Sequence, residues 1–537
     1  MDVSPRIATV LVLVLAAVAC GNHSANHGAD APADTGTSDA FAGPFSDFPA
    51  APIIDSSGSG APTPPNAGDL FGAAGTGATT GGPCLVEPEL GALFPLNGLR
   101  PRFEVMPNGG QNVFEIRLHA QNEINDLVVY TNTTMWLLPT AIWQGINNHI
   151  VDQDIQVTIR AATTDGTTLT SPVTVGSNGT VRIAPASAAG AIVYWTPSAG
   201  TPPEGTLKGF AYGDETVAGV LTPTQASTTC IGCHASTPDG AYAAFSARGN
   251  GAGNTQIELR SVDGSDTAPA FVSASAQTLI ARTEQELPAF SPAHWTTGDR
   301  MMLTVSPDLG AGKWELYWTD LEAASTTQGS GWNSVTRTGD ANGVASASFS
   351  HDGTRIVYTS ESDASAGVLP THGDLYVVPW NDRAGGTAMP VAGASDPTID
   401  EFFPAFSPDD QLIGFASFPV GQGLAYDNAM TEVSVIPTGG GSPVRLAAND
   451  PPSCSARTSP GIANSWPKWA PDVTTIGSKT YYWLAFSSHR ETGTPQIFVT
   501  AVVVEGSTIT TYPAFYMWNQ PAGENNHTPA WDVFQIQ

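Results

Sequence analysis

Cys230, Cys233 and His234 stand together in the run Cys-Ile-Gly-Cys-His. Two thiols three residues apart, followed at once by an imidazole, have the spacing of a c-type haem attachment site, where the thiols form thioethers with the haem vinyl groups and the imidazole ligates iron. Two plainer chemistries use the same residues. The cysteines could close a local disulfide or act as a redox pair, or they could join histidines around zinc, although no second cysteine pair stands ready to complete such a site. The sequence has no Gly-x-Ser-x-Gly, no His-Glu-x-x-His and no Gly-x-x-x-x-Gly-Lys, which leaves hydrolase and nucleotide chemistry without support.

The elements around this run must be read from the whole chain, whose 537 residues suit two or three folded units with tails. Acidic residues outnumber basic ones by 49 to 20, for a net charge of -29; such a surface repels phosphate backbones and excludes nucleic acid as a partner. Residues 1–20 read as an export signal, with Arg6 ahead of an apolar core at 7–18 that is too short to span a bilayer. The segment closes with Ala17-Val18-Ala19-Cys20-Gly21, which resembles the lipobox of bacterial lipoproteins, with Ala17 where that family usually has Leu. The resemblance implies acylation of Cys20 and anchoring of the body to a membrane through lipid. Gly21, where an Asp would retain a lipoprotein at the inner membrane, implies the outer membrane, with the body facing periplasm or exterior. An ordinary secretory signal cut nearby is the alternative. Of the five cysteines, Cys84 and Cys454 then remain, and in an oxidising envelope such a pair can form a disulfide from the start of the folded region to the fifth repeat.

Residues 21–83 are rich in Ala, Gly, Ser, Thr, Pro and Asp and read as a disordered tether, with an end-to-end distance of roughly 40 Å by random-coil scaling. Residues 84–187 carry short β-rich runs at 102–105, 112–119, 126–131, 154–162 and 179–183, the pattern of a β-sandwich of the immunoglobulin or fibronectin type III kind. Trp136 and Trp143 are expected in its core.

From residue 190 to 537 the sequence repeats. Copies of a Pro-x-aromatic-Ser start and a turn occur at Pro288-Ala289-Phe290-Ser291-Pro292, at Ala347-Ser348-Phe349-Ser350-His351-Asp352-Gly353, at Pro404-Ala405-Phe406-Ser407-Pro408-Asp409 and at Pro467-Lys468-Trp469-Ala470-Pro471-Asp472. The Cys-x-x-Cys-His run flows into the first copy, Thr237-Pro238-Asp239-Gly240, and Pro529-Ala530-Trp531-Asp532 is the last. Pro and Asp set these turns and Gly accepts positive φ. Second strands are expected at 241–246, 301–305, 355–360, 412–417 and 481–487, and third strands at 255–261, 314–320, 374–380, 431–437 and 496–503. Six starts meet only five third strands, and 191–196 supplies the missing one, so the ring closes as a six-bladed β-propeller. The Phe-Ser-Pro-Asp-Gly turns resemble the TolB-type propeller repeat. Together with the lipobox, tether and sandwich, the arrangement is similar to a group of envelope lipoproteins. The expected fold class is all-β, a sandwich followed by the propeller.

The repeats place the motif. His234 takes the position of Pro288, Pro404, Pro467 and Pro529 at the start of an innermost strand, which puts the motif at one mouth of the central channel. A sixth iron ligand would come from the same mouth: His527 is best placed, and Met517 is a weaker option. His294 and His351 belong to the opposite face; His489 returns to the motif's face, farther from the axis. Trp466, Phe402 and Phe403 fall at equivalent mouth positions. Two functions follow. One is an envelope-anchored haem c lipoprotein with Cys230 and Cys233 as attachment sites and His234 and His527 as iron ligands, transferring electrons to a protein partner or binding a small ligand, with peroxidase-like chemistry at an open iron. The other is a non-enzymatic TolB-like scaffold that binds envelope proteins or glycans, with Cys230 and Cys233 as a disulfide.

Overall fold

The computed structural model describes residues 43–198, 204–248, 255–307, 312–362 and 370–536. The expected signal peptide, Cys20 and residues 21–42 of the tether lie outside the described residues.

Six sheets form the propeller. Their innermost strands are Cys230–Ser236 (blade 1), Glu286–Ala289 (blade 2), Gly343–Phe349 (blade 3), Ile399–Phe406 (blade 4), Ser465–Trp469 (blade 5) and His527–Asp532 (blade 6), each neighbouring the next around a closed ring. The second and third strands of blades 1 to 5 sit close to where the sequence pattern puts them, among them Thr255–Ser261 and Trp314–Asp320. Closure joins the two ends of the repeat region: His527–Asp532 pairs antiparallel with Ala191–Pro197, which pairs in turn with Gly205–Ala211. Ala191–Pro197 is therefore the second strand of blade 6 and not its third, a place taken by Gly205–Ala211.

The repeated turns share one hydrogen-bond scheme. Thr237, Ser350 and Ser407 each donate a side-chain hydroxyl to the Asp two residues on, at 2.6, 2.6 and 2.7 Å, the local bonding that makes such residues turn formers. Gly240 has φ 73°, and a Cβ there would lie 2.0 Å from the Val533 carbonyl oxygen. Only glycine admits this approach, through which Gln535 N–H donates to Gly240 O at 2.9 Å and the chain end docks on the first turn. The blade 2 copy differs: Ser291 caps a short helix, Pro292–Thr296, in place of the turn, with Pro at its first position.

The sandwich pairs a six-stranded sheet with a three-stranded one, Cys84–Glu87, Arg102–Met106 and Met135–Leu137. Two edge strands, Ile53–Asp55 and Leu93–Phe94, pair in parallel, and a helix, Thr140–His149, packs against it, so the pairing departs from the all-antiparallel immunoglobulin pattern. Trp136 and Trp143 are core residues, as expected.

Residues 43–83 correct the tether reading. Ile53–Asp55 extends the large sheet, and Phe48 and Phe71 are buried. The reason lies with Arg160, which is fully buried against Glu115 and directs its remaining donors to the carbonyls of Phe71, Ala73 and Thr76. A buried guanidinium needs every donor met, and the low-complexity segment supplies the acceptors.

Sandwich and propeller share one core. Leu85, Phe103 and Ile183 of the sandwich belong to the same apolar cluster as Tyr194, Trp483 and Trp531 of blades 5 and 6, and Trp483 and Trp531 donate their indole N–H to the carbonyls of Ser187 and Ala189. Cys84 and Cys454 are disulfide-bonded across this seam, with Cα atoms 5.6 Å apart. Met517 is fully buried in the shared core, which removes it as a ligand at the mouth.

Candidate functional site: the propeller mouth and channel

The Cys-x-x-Cys-His run does not precede the innermost strand of blade 1; it is that strand. Cys230 pairs with Arg248 and Ile231 with Ala247, then a bulge leaves Gly232 and Cys233 opposite Ser246 before His234 pairs with Phe245. Every innermost strand carries a register shift at this level. In blades 2, 4, 5 and 6 the bulge includes a non-glycine residue at positive φ: Leu287 at 54°, Phe403 at 55°, Trp466 at 61° and Thr528 at 43°. Such conformations cost of order 1–3 kcal/mol each and persist where packing over-determines them.

These bulges gather a plug at the mouth. Phe402, Phe403 and Trp466 form a buried cluster against which Cys233, Leu287, Tyr426 and Met430 pack, with the Phe403 and Trp466 rings 4.2 Å apart. The expected mouth positions of Trp466, Phe402 and Phe403 are thus met, and Cys233 contributes to the same layer. Burial in this apolar surrounding, with Glu286 nearby, pushes the Cys233 thiol up to about 12, so it stays protonated and poorly nucleophilic.

His527 reaches the same mouth. Its Nδ1 lies 3.1 Å from the Tyr426 hydroxyl, its ring stacks on Tyr426 and tilts against Trp195, and burial lowers it to about 4. His489 lies farther out, as expected, hydrogen-bonded at 2.6 Å to Asp427. His294 and His351 bond instead to Gly353 O and Asp410 in the segments that follow the innermost strands of blades 2 and 3.

Inside the plug a cavity of about 300 Å³ runs along the axis, lined by all six innermost strands and reaching the turns at Pro238, His351 and Pro471. His234 faces it. Its Nε2 donates to the Val193 carbonyl at 3.1 Å, while Nδ1 is buried beside the Gly232 backbone. Burial holds the ring neutral, at about 4. Lys468, one residue beyond Pro467, lines the cavity as well. Burial lowers its ammonium, which makes no hydrogen bond or ion pair among the described residues and lies 6.0 Å from the Trp466 ring. Asp532 faces the same space, its carboxyl raised by burial to about 6 with Lys468 and His351 in range.

This geometry tests the readings of the motif. A c-type haem needs both thiols and the imidazole on one open face. Cys230 Sγ instead turns to the Ile231 carbonyl at 3.5 Å, Cys233 is sunk in the plug, and His234 spends Nε2 on a backbone carbonyl inside the channel, so the residues as folded do not fit haem. The disulfide reading fails too, since Cys230 and Cys233 are free thiols. For zinc, among the described residues neither cysteine joins a third Cys, His, Asp or Glu within ligand distance. In each case the cause is the ladder with Tyr242–Arg248, which holds the run extended where a shared ligand needs it folded back.

No known family matches the chain, and no curated protein matches it in sequence. Among solved structures it is similar to a protein of Agrobacterium tumefaciens described as TolB, at 14% identity and TM-score 0.32, over 62% of this chain and 90% of that one. It is also similar to the hydrazine synthase of Kuenenia stuttgartiensis, at 12% identity and TM-score 0.40, over 65% and 48%, and to an ancestral GH74 enzyme, at 13% identity and TM-score 0.38, over 63% and 40%. Likenesses this distant carry no argument about activity; the chain holds a six-bladed β-propeller by its own sheets.

Proposed function

We propose that this protein is a non-enzymatic envelope scaffold whose propeller channel binds a small anionic ligand of the sugar-acid class. The observation that carries the reading is the Lys468 ammonium, held in a cavity of about 300 Å³ with no hydrogen-bonding partner. Lys468 is part-buried and its ammonium opens onto the cavity with Asp532 in range, so a carboxylate arriving from solvent meets it. Asp532, partly protonated near neutral pH, and Ser346 line the same cavity and suit hydroxyl groups. Anchoring by an acylated Cys20 in the outer membrane belongs to the same reading; the Cys84–Cys454 disulfide supports export to an oxidising compartment.

A thermal-shift titration with glucuronate against glucose tests the channel. Glucuronate is expected to raise Tm and glucose to leave it unchanged, and Lys468→Met to abolish the shift while itself stabilising the free protein by about 1 kcal/mol, as relief of functional strain does. Equal responses to both sugars, or an unaltered shift in the variant, overturn the reading.

A further inference from the structure

The sandwich and propeller meet at a second charged site, independent of the channel. Glu87 and Glu104 lie directly opposite each other on the paired strands Cys84–Glu87 and Arg102–Met106, and Glu491 comes to them from blade 5, in the connection after Lys479–Ser488. One carboxylate oxygen from each lies within 4.8 Å of the others. Like charges opposed across a strand pair destabilise it, so something must compensate them. Arg102 does so in part: it donates to Glu87 Oε2 at 2.8 Å, Glu104 Oε2 at 3.0 Å and Glu491 Oε1 at 3.4 Å. Arg490 lies in electrostatic range of Glu491 and Arg457 donates to its backbone carbonyl, and both line the same cavity, yet among the described residues neither donates to a carboxylate of the three. Glu87 supplies the independent sign of a missing ligand: its side chain is 9% exposed, and its Oε1 is buried without a partner.

We propose that Glu87, Glu104 and Glu491 hold a calcium ion that clamps the sandwich to the propeller. The donors are all carboxylate oxygens, which suit a hard divalent cation and not a thiophilic one. The three glutamates line a cavity of about 320 Å³, room for the waters that complete a coordination shell of six to eight oxygens. The ion's ligands come from both sides of the seam that the Cys84–Cys454 disulfide also crosses, so binding fixes the orientation of the sandwich against blade 5.

The test uses the folded chain stripped with EDTA and titrated with calcium chloride alone by calorimetry. One site is expected, with Tm rising as calcium is added, and terbium in its place should luminesce on tyrosine excitation, because Tyr516 lines the cavity and lies 5.0 Å from the Arg102 guanidinium. Glu87→Gln is expected to weaken calcium at least tenfold. Should that variant fail to fold, Glu104→Gln, whose side chain is 28% exposed, is expected to do the same with a native far-ultraviolet spectrum. Absence of a calcium heat and of a Tm shift in the stripped protein overturns the proposal. So does a cluster that binds only protons, shown by a Tm that falls as pH rises through 7 to 8 equally with and without calcium.

Discussion

The propeller mouth and the sandwich–propeller seam each hold two cysteines and a group of buried titratable side chains, and they use them in opposite ways. At the mouth, Cys230 and Cys233 share one strand, remain thiols and sit beside histidines kept neutral by burial. At the seam, Cys84 and Cys454 are 370 residues apart, are bonded, and sit beside carboxyls raised by burial and mutual repulsion. Spacing in sequence suggested chemistry for the first pair and none for the second. What decides is the conformation imposed by neighbours: a ladder strand spreads nearby residues apart, whereas packing of two units brings distant ones together.

The largest effect expected from breaking this contrast falls at the seam. Cys454→Ser opens a loop of 370 residues and should cost roughly 2–5 kcal/mol, read as a lower midpoint in denaturant with an unchanged channel response to glucuronate. A midpoint equal to that of the parent protein would place the strength of the seam in its shared apolar core alone.

The mouth responds to pH with the opposite sign from the seam. His527 is lowered to about 4, chiefly by burial, with Asp427 favouring and His489 opposing its charge, and the Tyr426 and Trp195 rings cover it. As pH falls below the ordinary histidine value of about 6.5 the unfolded chain takes the proton first, so stability is full above that value and is lost down to about 4, by about 3 kcal/mol for this ring. His234 adds in the same direction. Tm measured over this range should fall with acid, and His527→Phe should flatten the slope. A slope unchanged in that variant would mean that the ring is hydrated and titrates normally. At the seam, Glu87 and Glu491 are raised, so without calcium stability is lost as pH climbs from the ordinary glutamate range through 7 to 8.

The smallest effect is expected at Cys230. Its half-buried thiol makes one long contact to Ile231 O, and Cys230→Ser should change stability by less than about 0.5 kcal/mol. A large loss would show a covalent or ligand role for this side chain.

Much of the propeller could be read from residues alone, because turn chemistry and strand alternation are local. The Thr237, Ser350 and Ser407 turns and the strand Thr255–Ser261 lie where the pattern puts them, and counting strands assigns 191–196 to the closing blade, though as its third strand where it is the second. The ordered stretch at 43–83 escaped that reading because its contribution is backbone carbonyls offered to Arg160, which composition does not reveal. Met517 was misplaced because its burial depends on the sandwich docking against blade 5. The mouth was located correctly through the repeats, which bring Cys233, Phe403, Trp466 and Tyr426 into one cluster, with His527 against Tyr426. The orientation of the motif within it was not legible, since Cys-x-x-Cys-His specifies spacing and leaves the backbone to its neighbours. Lys468 escaped as well; an isolated lysine between Pro467 and Trp469 gives no signal until the channel encloses it. The carboxylate cluster lies beyond sequence patterns altogether, with Glu491 hundreds of residues from its partners.

Cys230 and Cys233 are free thiols at the propeller mouth, a state that haem attachment would abolish. Intact mass and the visible spectrum of the mature protein, made in a host that matures c-type haem and analysed with thiol alkylation after denaturation, test it directly. A colourless protein with no haem adduct and two alkylated cysteines, Cys230 and Cys233, is expected. A haem-sized mass increase with a reduced α-band, and no alkylation at either residue, would contradict it.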